Sequence, residues 1–270
     1  MKYRYISDSH THSENSFDAN DSVLMMCENA SNKGLYSLAV TDHCECQEYF
    51  EKDYRTSISK SILDISKSRA VYHDRLHILT GIELGQPTQD TKAAEDALSL
   101  AEYDFVLGSL HNLRGEEDFY FLTYTEENAH ELLTRYFNEL LELAQQNLFD
   151  SLAHITYPLR YIVGNSGIKI NLNDYSEIID EILLTVINNH KAIEVNTSGL
   201  RQVIGKTLPD EDIINRYREL GGKYITIGSD AHRWGDIGSG IERGLAQLVQ
   251  CGFTHFTIFE KREPKMLPIQ

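Results

Sequence analysis

His10 and His12 stand two residues apart near the start of the chain, and Asp230 and His232 repeat that spacing near its end. In an extended strand residues i and i+2 face the same side, so each pair can present both side chains to one ion or to neighbouring ions. A single His-x-His carries little weight, because 11 histidines among 270 residues yield about 0.4 such pairs by chance. Recurrence carries more. His43, Glu83, His111 and His154 each close a short β-branched or aromatic run, as the two pairs do, which puts six of the 11 histidines and two carboxylates at run ends. Imidazole and carboxylate without thiolate suit zinc, iron or manganese, and one carboxylate can bridge two such ions at the separation used for in-line displacement at phosphorus. The expectation is a multinuclear metal centre. His73, His77, His130, His190 and His255 are scattered along the chain, close no such run and receive no role.

The elements that would gather these side chains alternate along the chain. Strand-like runs fall at about 3–8, 36–41, 77–83, 104–110, 151–155, 192–197, 223–228 and 254–259, and helical periodicity at about 20–33, 57–74, 90–101, 126–147, 175–190, 210–220 and 237–250. Polar capping residues such as Asp174 and terminal glycines such as Gly34 and Gly221 mark helix ends. Seven or eight such units predict a (β/α) barrel, in which strand C-termini meet at one mouth. A doubly wound sheet would carry a glycine-rich phosphate loop after its first strand, and none follows Ile6. The irregular stretches at about 112–125 and 156–173 are of loop size, so one domain is expected over 1–270.

A net charge of −16 and a pI near 5.1 repel polyanions, which disfavours extended nucleic-acid binding. The four cysteines, Cys27, Cys44, Cys46 and Cys251, are too few and irregular for a disulfide framework, and Cys44 and Cys46 lack the gap of a structural zinc site. The first residues lack the apolar core of a signal peptide, and uncharged runs stay short of a membrane span. A cytoplasmic setting with reduced thiols is expected; the oligomeric state is left open.

Arg160 and Arg201 stand six and five residues beyond His154 and Asn196. Their planar guanidinium groups suit bidentate phosphate contact, against the alternative of solvated loop cations. Glu45, Glu48 and Glu51 read as a solvated acidic surface, with Cys44 and Cys46 packed near His43 or in a loop. Glu116, Glu117 and Asp118 read as a loop after His111 that could cover a substrate. Phe119, Tyr120, Phe121 and Tyr124 read either as a pocket for an imidazole-bearing substrate or as rim packing.

The motifs DSHTH at 8–12, TDH at 41–43, GIE at 81–83, SLH at 109–111, His154 and GSDAH at 228–232 resemble, in order and over nearly the whole chain, those of the polymerase and histidinol phosphatase (PHP) superfamily. Within it the chain is most similar to the histidinol-phosphate phosphatases, by its length and by HITYPLRY at 154–161 and EVNTSGLR at 194–201. The resemblance implies a distorted, TIM-like (β/α)7 barrel and three divalent ions per chain. His10, His12, Glu83 and Asp230 would surround one ion, Glu83, His111 and His154 the second, and Asp18, His43 and His232 the third. Many members carry a histidine where this chain has Asp18, so a two-metal site with Asp18 as an acid–base group is the alternative. The resemblance makes Arg160 and Arg201 phosphate clamps and implies hydrolysis of L-histidinol phosphate by a metal-bridging hydroxide. Asp18, Asp230 or His232 would serve the leaving alcohol. Competing expectations are a phosphoesterase for nucleotides or short oligonucleotides and a non-catalytic metal-binding domain.

Overall fold

The β-rich runs pair in the order in which they occur. In the computed structural model, which describes residues 2–270, Ser7–Asp8 (β1) lies beside Ser37–Val40 (β2), and β2 beside His77–Gly85 (β4). Phe105–Ser109 (β5), Ser151–Leu152 (β6), Ala192–Asn196 (β7) and Ile225–Gly228 (β8) continue the series, every pairing parallel. Backbone bonds from Ser9 to Ile227, Asp230 to His10 and His12 to Ala231, at 3.0, 2.8 and 2.9 Å, join the first and last strands and close the ring. Among the described residues this is a seven-stranded (β/α) barrel with one irregularity: the second strand breaks at Thr41 and Asp42 and resumes as His43–Glu45 (β3), also parallel to β4.

Helices follow the strands and bury one face each. Val23–Asn32 (α1) is capped by Ser22, whose side chain accepts from Met25 N, and Thr91–Ser99 (α3) by Asp90, which accepts from Ala93 N. Tyr54–Tyr72 (α2) lies between them in sequence. Glu126–Gln146 (α4) opens on a capping box of Thr125 and Asn128 and buries Ala129, Leu133, Tyr136, Phe137, Leu140, Leu143 and Ala144, the three-and-four spacing of an amphipathic helix. Truncating Leu140 to alanine should cost about 2–5 kcal/mol. Ser176–Asn188 (α5), Glu211–Glu219 (α6) and Ile241–Gln250 (α7) complete the set. Asp174 is not the cap of α5: it lies in a separate turn at Leu172–Tyr175, and Tyr175 precedes the helix without a side-chain cap. Among the described residues no helix is long and apolar enough to cross a membrane.

The run expected at 254–259 is not an eighth barrel strand. His255–Glu260 (β9) pairs antiparallel with Glu263–Pro268 (β10) through Lys261 and Arg262, both at positive φ (53° and 64°). Arg262 reaches Asp150 at 2.9 Å, and Asp150, buried, also accepts from Val106 N at 2.9 Å. The hairpin therefore ties down the strand-start end of the barrel and leaves the opposite mouth to the histidines.

Candidate metal centre

Every strand-end side chain singled out above turns into one mouth of the barrel, and Glu83 lies at the middle. Its Oε1 is 3.0 Å from His154 Nε2 and 3.2 Å from His111 Nε2. Its Oε2 is 3.0 Å from His43 Nδ1, 3.4 Å from His10 Nε2 and 3.6 Å from His12 Nε2. One buried carboxylate thus faces five imidazoles drawn from four different strand ends. Parallel pairing explains it: β3 places His43 opposite Glu83 on β4, and side chains in register on neighbouring parallel strands share a face.

Asp230 completes the floor. It sits at positive φ (54°), an uncommon conformation for a residue other than glycine and one that recurs where side chains are held for function. Its Oδ1 is 3.5 Å from both His12 Nε2 and His232 Nδ1, and 3.7 Å from His10 Nε2. Its Oδ2 accepts from Arg160 Nη2 at 2.9 Å and from Asn196 Nδ2 at 3.2 Å. Asp18 closes the outer side, with Oδ2 at 3.0 Å from His232 Nε2 and 3.6 Å from His43 Nε2. All nine residues grouped from the sequence are therefore within one cluster, and His12, His43 and His232 converge on one another as well.

Electrostatics divide the imidazoles. Burial alone would lower them all, but Glu194, Glu83 and Asp230 outweigh it at His10, and Glu83, Asp18 and Glu45 do so at His43, holding both well above the ordinary value. Burial is likewise overcome at His111, where Glu45 and Glu83 push the ring up to about 10. Burial prevails at His12, helped by His232 and His43, and at His154. Glu83 and Asp230 resist burial because His10 and its neighbours, with Arg160 at Asp230, hold them well below the carboxylate range.

The buried atoms His10 Nε2, His12 Nε2, His43 Nδ1 and Glu83 Oε2 have no hydrogen-bond partner in the protein, although they approach one another closely. An unsatisfied buried polar atom costs about 1–3 kcal/mol, and four in one place fit a site shaped for cations. Nitrogen and oxygen donors with no sulfur match zinc, iron or manganese.

Several side chains differ from their sequence reading. Glu45 is not on a solvated surface: it is buried beside His111 and His43, at 2.9 and 3.2 Å from their Nδ1 atoms. The signal was its two-residue spacing from His43. Cys44 and Cys46 pack in the core, and Phe119 is fully buried and cannot line a pocket. Glu194, given no role from sequence, is buried with Oε1 2.7 Å from His10 Nδ1. Asp8 and Asp42, inside the quoted motifs, lock loops: Asp8 accepts from Ser229 N and Gly238 N, and Asp42 from Ser13 N and Ser16 Oγ. His73, His77, His130 and His255 bond to Asp74, Glu260, Tyr175 and Thr254, away from the cluster.

A cavity of about 500 Å³ opens over the cluster, its lining including Arg160, Arg201, Phe17, Asp118, Tyr120 and Phe121. A wide helical turn at Arg160–Asn165, in which Ser166 N bonds to Tyr161 O, sets Arg160 over the Tyr157 ring at 4.8 Å. Arg201 donates to Ser229 O at 2.9 Å. Asp118 accepts from Tyr157 Oη at 3.0 Å and is raised by burial. Phe17 stacks on His43 at 5.1 Å. A larger groove of about 1000 Å³ beside α5 and α6 contains no histidine and lies apart from this chemistry.

Residues 8–198 match the model of the PHP domain family. A probable histidinol-phosphatase of Clostridium acetobutylicum is 30% identical over 95% of this chain and 98% of its own length. A probable histidinol-phosphatase of Thermotoga maritima is 27% identical over 94% of this chain and 96% of its own. The solved structure of histidinol phosphate phosphatase from Lactococcus lactis subsp. lactis Il1403, complexed with zinc, L-histidinol and phosphate, superposes with a TM-score of 0.75 at 23% identity and covers 96% of this chain and 98% of that one. That likeness shows the barrel fold.

Proposed function

The chain belongs to the PHP domain family, and we propose that it is a metal-dependent phosphomonoesterase that hydrolyses L-histidinol phosphate to L-histidinol and phosphate. The observation that carries this reading is Glu83, with each oxygen turned to a different set of imidazoles and a pair of arginines beside the same cavity. The relatives named histidinol-phosphatase span nearly the whole chain and support the substrate.

In this reading His10, His12, Glu83 and Asp230 would hold one ion, Glu83, His111 and His154 a second, and Asp18, His43 and His232 a third. Zinc, iron or manganese fit the donors. Bound ions supply Lewis acidity, lowering the pKa of water and neutralising charge on phosphoryl oxygens. The protein supplies position. Arg160 is fixed by Asp230 and Ser198, both reached from Nη2 at 2.9 Å, which leaves the two N–H groups of Nη1 for a phosphoryl group. Arg201, anchored on the Ser229 carbonyl, approaches the same cavity. Asp18 and His232 are the most exposed members of the cluster, 38% and 30%, and are where a proton can pass between solvent and the leaving alcohol. Asp230 Oδ2 is committed to Arg160 and Asn196, which leaves Oδ1 turned to His10, His12 and His232. The aromatic rim of Phe17, Tyr120 and Phe121 offers stacking for an imidazole ring, and Asp118 a carboxylate for its cationic end.

Steady-state kinetics on histidinol phosphate, phosphoserine and a dinucleotide, with metal content measured on the same protein, test the assignment. Strong preference for histidinol phosphate is expected. Comparable turnover of all three would remove the substrate name, and turnover unaffected by chelation would remove the metal chemistry.

A further inference from the structure

Two buried carboxylates lie behind the imidazoles. Glu194 Oε1 is 2.7 Å from His10 Nδ1, and its Oε2 accepts from His154 N at 3.0 Å and Asn196 Nδ2 at 3.2 Å. Glu45 Oε1 is 2.9 Å from His111 Nδ1. With Nδ1 turned to a carboxylate oxygen, each ring aims Nε2 at Glu83, at 3.4 Å from His10 and 3.2 Å from His111. A ring held by its far nitrogen keeps one tautomer and one orientation.

Two strand glycines make room for this arrangement. Glu45 on β3 stands opposite Gly85 on β4, and a Cβ at position 85 would come within 2.5 Å of Glu45 Oε2. At Gly228, the last residue of β8, a Cβ would come within 2.5 Å of Glu194 Oε1 and 2.3 Å of His10 Cβ. Neither glycine has positive φ, so the bare position serves close approach and no turn requires it.

We propose that Glu45 and Glu194, seated by Gly85 and Gly228, are positioning residues that hold His111 and His10 as Nδ1–H tautomers with Nε2 presented to the metal centre. The proposal rests on reading the cluster as a metal centre. Its first test needs no substitution: long-range 1H–15N spectra of histidine ring nitrogens in zinc-loaded wild-type protein should show protonated Nδ1 and zinc-bound Nε2 at His10 and His111. Glu45→Gln, Glu194→Gln and Gly85→Ala should each weaken zinc binding roughly 10- to 100-fold in chelator competition, with far-UV circular dichroism retained. Gly85→Ala should reproduce Glu45→Gln, because it displaces the carboxylate without deleting it. Zinc on Nδ1 of either ring, or wild-type zinc affinity in all three variants, would overturn the proposal and leave the metal centre standing. Wild-type protein that takes up no zinc, iron or manganese would overturn both.

Discussion

Replacing Arg160 with methionine removes a charge and all its donors while keeping most of the side-chain volume. In the protein Arg160 is largely enclosed, 10% exposed, and donates from Nη2 to Asp230 Oδ2 and Ser198 Oγ, each at 2.9 Å. Its Nε–H has no acceptor. Two costs follow. Asp230 loses a buried partner, which can cost up to about 3–5 kcal/mol, but Asn196 Nδ2 and Ser198 Oγ remain at 3.2 and 3.3 Å from the same oxygen. The phosphoryl group loses charge-assisted hydrogen bonds of about 1.5–3 kcal/mol each, so the two N–H groups that Nη1 has free contribute roughly 3–6 kcal/mol. At 1.36 kcal/mol per decade, kcat/KM should fall roughly 10²- to 10⁴-fold. The assay pairs steady-state kinetics with product inhibition by inorganic phosphate, metal analysis and a thermal melt. Phosphate inhibition should weaken in parallel while metal content holds. Retained metal with kcat/KM within about fivefold of wild type would refute the clamp, and lost metal would show that Arg160 acts through Asp230. Arg201→Met should cost less, about tenfold, because Arg201 is more exposed and bonds to backbone carbonyls.

Chelation should abolish activity and lower the melting temperature by about 5–11 °C, the effect of losing roughly 2.7 kcal/mol of ligand stabilisation from a domain of this size; scanning calorimetry before and after zinc or manganese return checks it. Metal uptake should release protons: His10, His43 and His111, the last at about 10, are raised by neighbouring carboxylates. They hold protons at neutral pH that must leave before their lone pairs can bind a cation. Apparent affinity should therefore climb as pH rises toward about 10 and fall as it drops, read by titration calorimetry in buffers of different ionisation enthalpy. Asp118→Asn should raise KM for histidinol phosphate about tenfold and leave p-nitrophenyl phosphate within about twofold, if the carboxylate meets the cationic end of the substrate; equal effects on both would place Asp118 in loop packing with Tyr157.

The strand-end residues were legible because a parallel barrel leaves little freedom: a side chain at the end of a strand whose order is sequential must face the common mouth. His10, His12, His43, Glu83, His111, His154, Asp230 and His232 follow that rule. The last strand shows where periodicity fails. Residues 255–260 have the composition of a barrel strand, and the hairpin turn at Lys261 and Arg262 uses positive φ without the Asn or Gly that would mark it in sequence. The sequence reads Asp118 as part of a loop that could cover a substrate and Tyr120 as pocket lining or rim packing, and does not choose, since their approach to the cavity depends on how the segment after His111 folds back over Tyr157.

Glu45 departs from its sequence reading because of strand register. The alternation that brings His10 and His12 to one side applies equally to His43 and Glu45, yet Glu48 and Glu51 nearby suggested a solvated acidic face. What separates Glu45 from them is register, because the second strand breaks at Thr41 and Asp42 and resumes on β4 with His43 against Glu83 and Glu45 against Gly85. The three-residue strand ends there, and Glu48 and Glu51 fall in the turn beyond it. A carboxylate on a paired strand opposite a glycine is drawn inward toward the imidazoles, whereas the same side chain three residues later is left to water. Local composition is blind to that distinction, since it arises only when two strands have met.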